Sequence, residues 1–240
     1  MRRFFLIFCV MLPLAPPVLA QNSARYGRCL DVADKNPAIA LPDAESWAKM
    51  GGGTLAEHCA AMAQVRLKRY PEAAARLEKL ARASGTPGAM RAEIFTQAGN
   101  AWLLGGNGAK AVANLNTALS LSVGDADLYA DLGRAEAMIR NWRQAVTHLS
   151  TALAMRPKSP DLLLLRASAQ RALRQYKSAL NDLNSALATQ RGDAALLMER
   201  GLLRRDLGDL GGARTDFVAA QKSGSANIRR EAAEALDALN

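Results

Sequence analysis

Beyond residue 90 the apolar residues recur at i, i+3, i+4 and i+7, in blocks parted by short polar or glycine-bearing runs. That spacing paints one face of an α-helix. The blocks come in pairs, and the pairs repeat. "NGAKAVANLNTALSLSV", "NWRQAVTHLSTALAMRP", "QYKSALNDLNSALATQR" and "DLGGARTDFVAAQKSGS" start 34 residues apart, and their shared residues are mostly the apolar ones. Ala111, Ala145, Ala179 and Ala213 align, followed by Leu115, Leu149, Leu183 and Phe217, then by Ala118, Ala152, Ala186 and Ala220. Earlier in each unit stand Gly99, Gly133, Ala167 and Gly201, preceded by Phe95, Tyr129, Leu163 and Leu197. The pattern predicts two amphipathic helices per unit, joined by the turns "GGNG", "IRNW", "LRQY" and "LGDL". A small residue at a fixed place lets paired helices cross closely, and the large residue fills the space between pairs.

Upstream the phase slips. "LKRYPEAAARLEKLARAS" repeats the second helix, with Tyr70, Ala73, Leu77 and Leu80 in equivalent places, while "SGTPGAM" has absorbed four extra residues. "YGRCLDVADKN" and "PAIALPDAESWAKMGGG" read as a degenerate helix pair, and "NIRREAAEALDALN" as a lone amphipathic helix covering the last unit. The expected organisation is a signal peptide over 1–20 and a helical cap over 21–53. A divergent unit over 54–91 follows, then units over 92–125, 126–159, 160–193 and 194–227, and a capping helix over 228–240.

These residues resemble the tetratricopeptide repeat. In 126–159 its pattern is met by Tyr129, Gly133, Trp142, Ala145, Leu149, Ala152 and Pro157, with Glu136 departing from it. In 92–125 it is met by Phe95, Gly99, Trp102, Gly108, Ala111, Leu115 and Ala118, with Val123 in place of proline; Arg191 and Ser225 replace that proline in the next two units. The resemblance covers roughly residues 54 to 227 and implies an all-α protein, an α-solenoid wound as a right-handed superhelix. It also implies that the first helix of each pair lines a concave groove for another protein or peptide segment, without catalysis or cofactor. Carried over, the groove positions include Met62, Arg66, Asn100, Leu103, Arg134, Met138, Leu164, Arg171, Met198 and Arg205, with Glu93, Thr96, Leu104 and Asp127 beside them. The arginines are suited to grip peptide carboxylates, and the methionines with Leu164 to adapt to side chains. The clamp by which some members hold a chaperone's terminal carboxylate is absent: Asn100 matches, but Thr96 stands where lysine is expected.

The N-terminus changes the compartment. Arg2 and Arg3, an apolar run from Phe4 to Leu14, and Val18 and Ala20 before Gln21 form a signal-peptide pattern. The run is too short to cross roughly 30 Å of hydrocarbon and is followed by prolines. Cleavage would leave a soluble exported chain, periplasmic and without membrane insertion. The formal charge of +9 falls to +7 without Arg2 and Arg3. The bases are scattered and aromatics are 5%, so no nucleic acid is expected as partner.

Cys29 and Cys59 remain after cleavage, and an even count in an oxidising compartment points to one disulfide. The alternatives are a reactive thiol or a metal site. His58 adjoins Cys59, but consecutive helical positions diverge by about 100° and chelate one ion poorly. His148, the other histidine, is expected on an outer face. No phosphate loop or nucleophile elbow is present, and "GGG" at 51–53 is expected to end the helix carrying Trp47. An exported enzyme therefore has no catalytic group to nominate. A structural subunit docked by its convex face or its last helix is the main rival to a groove binder.

Overall fold

The computed structural model describes residues 18–83 and 88–239, and most of the expected signal peptide, 1–17, lies outside them. Every regular element described is helical. The chain forms two compact units that divide between Lys68 and Arg69.

The first unit holds α1 (Val18–Lys35), α2 (Pro37–Trp47) and α3 (Gly53–Arg66). Pro37 opens α2, where a missing N–H costs no helical hydrogen bond. The glycine run ends the Trp47 helix as expected: a π-helical turn spans Ala48–Gly52, and Gly51 and Gly53 adopt φ of 90° and 57°. Those left-handed angles favour glycine. Gly52 lacks a Cβ because one would stand 2.6 Å from the Trp47 indole. Trp47 packs in a core of small residues that includes Ala33, Ala44, Ala56 and Ala60. The disulfide expected from the cysteine count joins α1 to α3 through Cys29 and Cys59, whose Cα atoms lie 6.2 Å apart. His58 is buried, with its Nδ1 2.8 Å from the Tyr26 hydroxyl.

The second unit holds α4 (Tyr70–Arg82), α5 (Gly88–Leu104), α6 (Gly108–Leu121), α7 (Ala126–Met138) and α8 (Trp142–Met155). It continues through α9 (Pro160–Ala172), α10 (Tyr176–Thr189), α11 (Ala194–Asp206), α12 (Leu210–Ser223) and α13 (Ala226–Asp237). Helices adjacent in sequence pack on one another, most extensively in α4–α5, α5–α6, α7–α8, α9–α10 and α11–α12, and α13 packs on α12 and α11. The repeated residues do equivalent work. Leu115, Leu149, Leu183 and Phe217 are each at most 1% exposed, as are the alanines aligned with Ala111. At Gly133 an added Cβ would stand 2.5 Å from Leu149 Cγ, and at Gly201 2.5 Å from the Phe217 ring. This close approach fixes the first helix of each pair against the second. The turn inside each pair is equally periodic: Gly106, Arg140, Arg174 and Gly208 all have φ between 59° and 81°. Two arginines thus accept a conformation that favours glycine, because a left-handed residue is needed there to reverse the chain.

Candidate functional site

α5 packs on α6 and α4, and α7 on α8 and α6, and each leaves one further strip of its surface open. α5 buries Ile94, Phe95, Ala98, Ala101 and Trp102 and leaves Glu93 and Leu104 exposed and Asn100 and Leu103 half-buried. α7 is capped by Asp125, whose carboxylate accepts the Leu128 N–H at 2.8 Å. It buries Leu128, Leu132 and Ala135 and presents Asp127, Asp131, Arg134 and Met138. The two faces meet along two adjoining cavities. One, of about 480 Å³, is lined by Asn100, Leu103, Leu104, Asp131, Arg134 and Met138. The other, of about 440 Å³, shares Asn100 and Asp131 and extends past Thr96 and Glu93 to Asp127 and the loop residues Val123 and Asp125. Both sizes fall within the roughly 300–1,000 Å³ of ligand clefts.

Four predicted site residues therefore come together: Asn100, Leu103, Arg134 and Met138. Leu164 and Met198 are half-buried and pack on the hydrophobic core. Met62 and Arg66 belong to α3 in the first unit, where Arg66 meets Asp34 at 2.6 Å. The predicted arginines are all ion-paired. Arg134 reaches Asp131 at 2.6 Å, Arg205 reaches Asp206 at 3.4 Å, and Arg171 bridges Glu199 at 2.7 Å and Asp206 at 3.0 Å. Burial alone would lower the pKa of Arg171, but its hydrogen bonds and charge contacts with Glu199 and Asp206 outweigh that and raise it. Burial pushes the Asp131 carboxyl above its ordinary range, against the opposing hydrogen bond from Asn100 and the charge of Arg134.

The chain matches no protein-family model, and no curated protein matches it in sequence. Solved structures do match. YrrB, described as a TPR protein with an unusual peptide-binding site, aligns with a TM-score of 0.62 at 15% identity, covering 81% of this chain and 95% of that one. The C-terminal part of a TPR repeat-containing protein from Cytophaga hutchinsonii aligns at 0.64 and 16%, covering 88% and 84%. MamA from Desulfovibrio magneticus aligns at 0.61 and 18%, covering 71% and 91%. The fold is that of the tetratricopeptide repeat.

Periodicity in this tetratricopeptide-repeat fold also organises charges that the apolar pattern missed. Arg166 grips Asp182 through two bonds, of 2.7 and 2.8 Å, and reaches Ser150 on the preceding pair at 3.2 Å. Thirty-four residues on, Arg200 grips Asp216 at 2.9 and 2.7 Å and reaches Asn184 on the preceding pair at 3.1 Å. Asp216 is 2% exposed and also accepts from Arg204 at 2.9 Å. Each arginine thus ties its own pair together and links it to the one before. The signal was present in the sequence as a polar repeat of the same period. At the equivalent places of the preceding unit stand Leu132 and His148. His148 is half-buried and stacked on Tyr129, with ring centroids 6.1 Å apart, a correction to its expected outer position. The tyrosine that marks the repeat pattern supplies the surface that covers it. Glu136, the departure from that pattern, is buried and accepts from Asn141 Nδ2 at 2.8 Å in the turn of its own pair.

Proposed function

We propose that this protein is an exported, periplasmic and non-catalytic binding module that captures an extended segment of another protein on the wall formed by α5 and α7. The observation that carries this reading is the pair of adjoining cavities that share Asn100 and Asp131. At one end the wall exposes Leu104 by 60% and Met138 by 45%, apolar area whose burial a partner would complete at about 25 cal/mol per Å². The Cys29–Cys59 bond supports export, since such bonds persist in oxidising compartments. Among the described residues no helix is long and apolar enough to cross a membrane. The predicted groove residues Leu164, Arg171, Met198 and Arg205 lie on α9 and α11 and are assigned to a continuation of the groove beyond that wall.

Selection of extended peptides from a random display library against the purified protein tests the reading. The expected outcome is a family of binders that the double substitution Leu104→Asp with Met138→Asp weakens at least about tenfold, with helical circular dichroism unchanged. Binders that ignore this change but are lost on substitution of exposed residues of α13 would move the interaction to the last helix and end the groove reading.

A further inference from the structure

From the chemistry of the same wall we infer which segment it takes: an extended peptide carrying a lysine or arginine beside a large apolar residue. This rests on the reading of the α5–α7 wall as a capture site and adds a charge preference to it. The cavity of about 440 Å³ is lined by four carboxylates, from Glu93, Asp125, Asp127 and Asp131, and by no basic side chain. The chain as a whole carries +9, so this local sign runs against the composition. At physiological salt, charges more than about 8 Å away are largely screened, and a bound side chain responds to the near carboxylates.

Two of the four carboxylates are already met, Asp131 by Arg134 and Asp127 by Arg156 at 2.5 Å. Among the described residues Glu93 accepts only the Gln97 amide, at 3.3 Å, and Asp125 caps α7. The Asp127–Arg156 pair has side chains 79% and 45% exposed, and exposed pairs hold weakly, so an incoming cation can join or displace it. The adjoining cavity has the opposite character, with Leu103, Leu104 and Met138 contributing the apolar surface. Asn100 lines both cavities. Its amide donates to Asp131, while its Oδ1 is buried and accepts no hydrogen bond from the described residues. Such an acceptor favours a ligand that brings an N–H donor. An anionic segment fits poorly. Arg134, Arg171 and Arg205, which would have received its carboxylates, are neutralised by Asp131, Glu199 and Asp206.

The test uses four fluorescent peptides of one scaffold that differ at two adjacent positions: Lys-Leu, Glu-Leu, Lys-Ser and Glu-Ser. The Lys-Leu probe is expected to bind tightest in anisotropy titrations, with about tenfold loss on changing Lys to Glu and a similar loss on changing Leu to Ser. In a Glu93→Gln, Asp127→Asn double variant the lysine preference is expected to collapse while the leucine preference persists. In Leu104→Ser the reverse is expected. Equal or tighter binding of Glu-Leu overturns the charge assignment and leaves the capture site standing. Failure of all four probes beside successful library binders on the same wall does the same. Absence of any binder, from probes or library, overturns both. A lysine preference unchanged in the double variant places the cation elsewhere and also defeats the inference.

Discussion

The repeat pairs α5–α8 and α9–α12 are built on one apolar template and differ in what they do with charge. In the later pairs Arg166 and Arg200 clamp Asp182 and Asp216, and Arg171 reaches across from α9 to Glu199 and Asp206 on α11. In α7–α8 Leu132 and His148 stand in place of the clamp, in α5–α6 Ala98 and Asn114 do, and the α5–α7 wall opens into two cavities. On the later wall Arg171 meets two carboxylates; on the earlier one four carboxylates face a single lining arginine. A helical scaffold can thus divide its labour along the chain without changing its core.

The strongest way to break this contrast is to cut the clamp. Arg166→Ala leaves Asp182, 7% exposed, without its cation, and is expected to cost about 3 kcal/mol in urea unfolding, the low end for a broken buried pair. The double change Arg166→Leu with Asp182→His installs the occupants found one unit earlier. It is expected to fall within about 1 kcal/mol of the parent, because replacing both partners removes the stranded charge. If the double variant is as unstable as the single one, the later pairs depend on the clamp and the two halves are not interchangeable.

Packing sharpens the comparison at the next level. Gly201→Ala drives a Cβ to within 2.5 Å of the fully buried Phe217 ring and is expected to lower stability by about 2 kcal/mol. Gly133→Ala meets Leu149 at the same distance, yet at the equivalent place an alanine, Ala167, already shares one core cluster with Leu183. A leucine can yield where a ring cannot, and alanine gains about 1 kcal/mol of helix propensity over glycine. The change at Gly133 is therefore expected to stay within about 1 kcal/mol of the parent by thermal melting.

The smallest expected effect concerns pH. Burial lowers the pKa of His148 below 6.5, with Glu136 opposing. The unfolded chain therefore binds the proton first. This residue's stabilisation is complete above the unfolded value and declines as pH falls through the folded one. Stability measured across that acidic window should slope downward in the parent and less so in His148→Gln. An equal slope in both would assign the dependence to other groups.

The repeat is legible because the same close contact recurs every 34 residues, and each recurrence demands the same residue size. Gly99, Gly133 and Gly201 are small because a leucine or a ring lies against them. Four wall residues, Asn100, Leu103, Arg134 and Met138, were legible for a related reason: faces turned away from the paired helix follow from the same phase. The cavity that Asn100 shares with Asp125 and Val123 was not. Those two lie before α7 begins, and a connecting loop carries no helical period.

Sequence alone determined the helical pairs, their order and their core, since burial at fixed intervals restricts residue size one position at a time. It also determined which cysteines were available to pair. Only the tertiary structure decided that the predicted arginines are already neutralised and that an acidic hollow adjoins an apolar one. Charge pairing depends on distances between side chains far apart in the chain, and no periodicity of single residues encodes those distances.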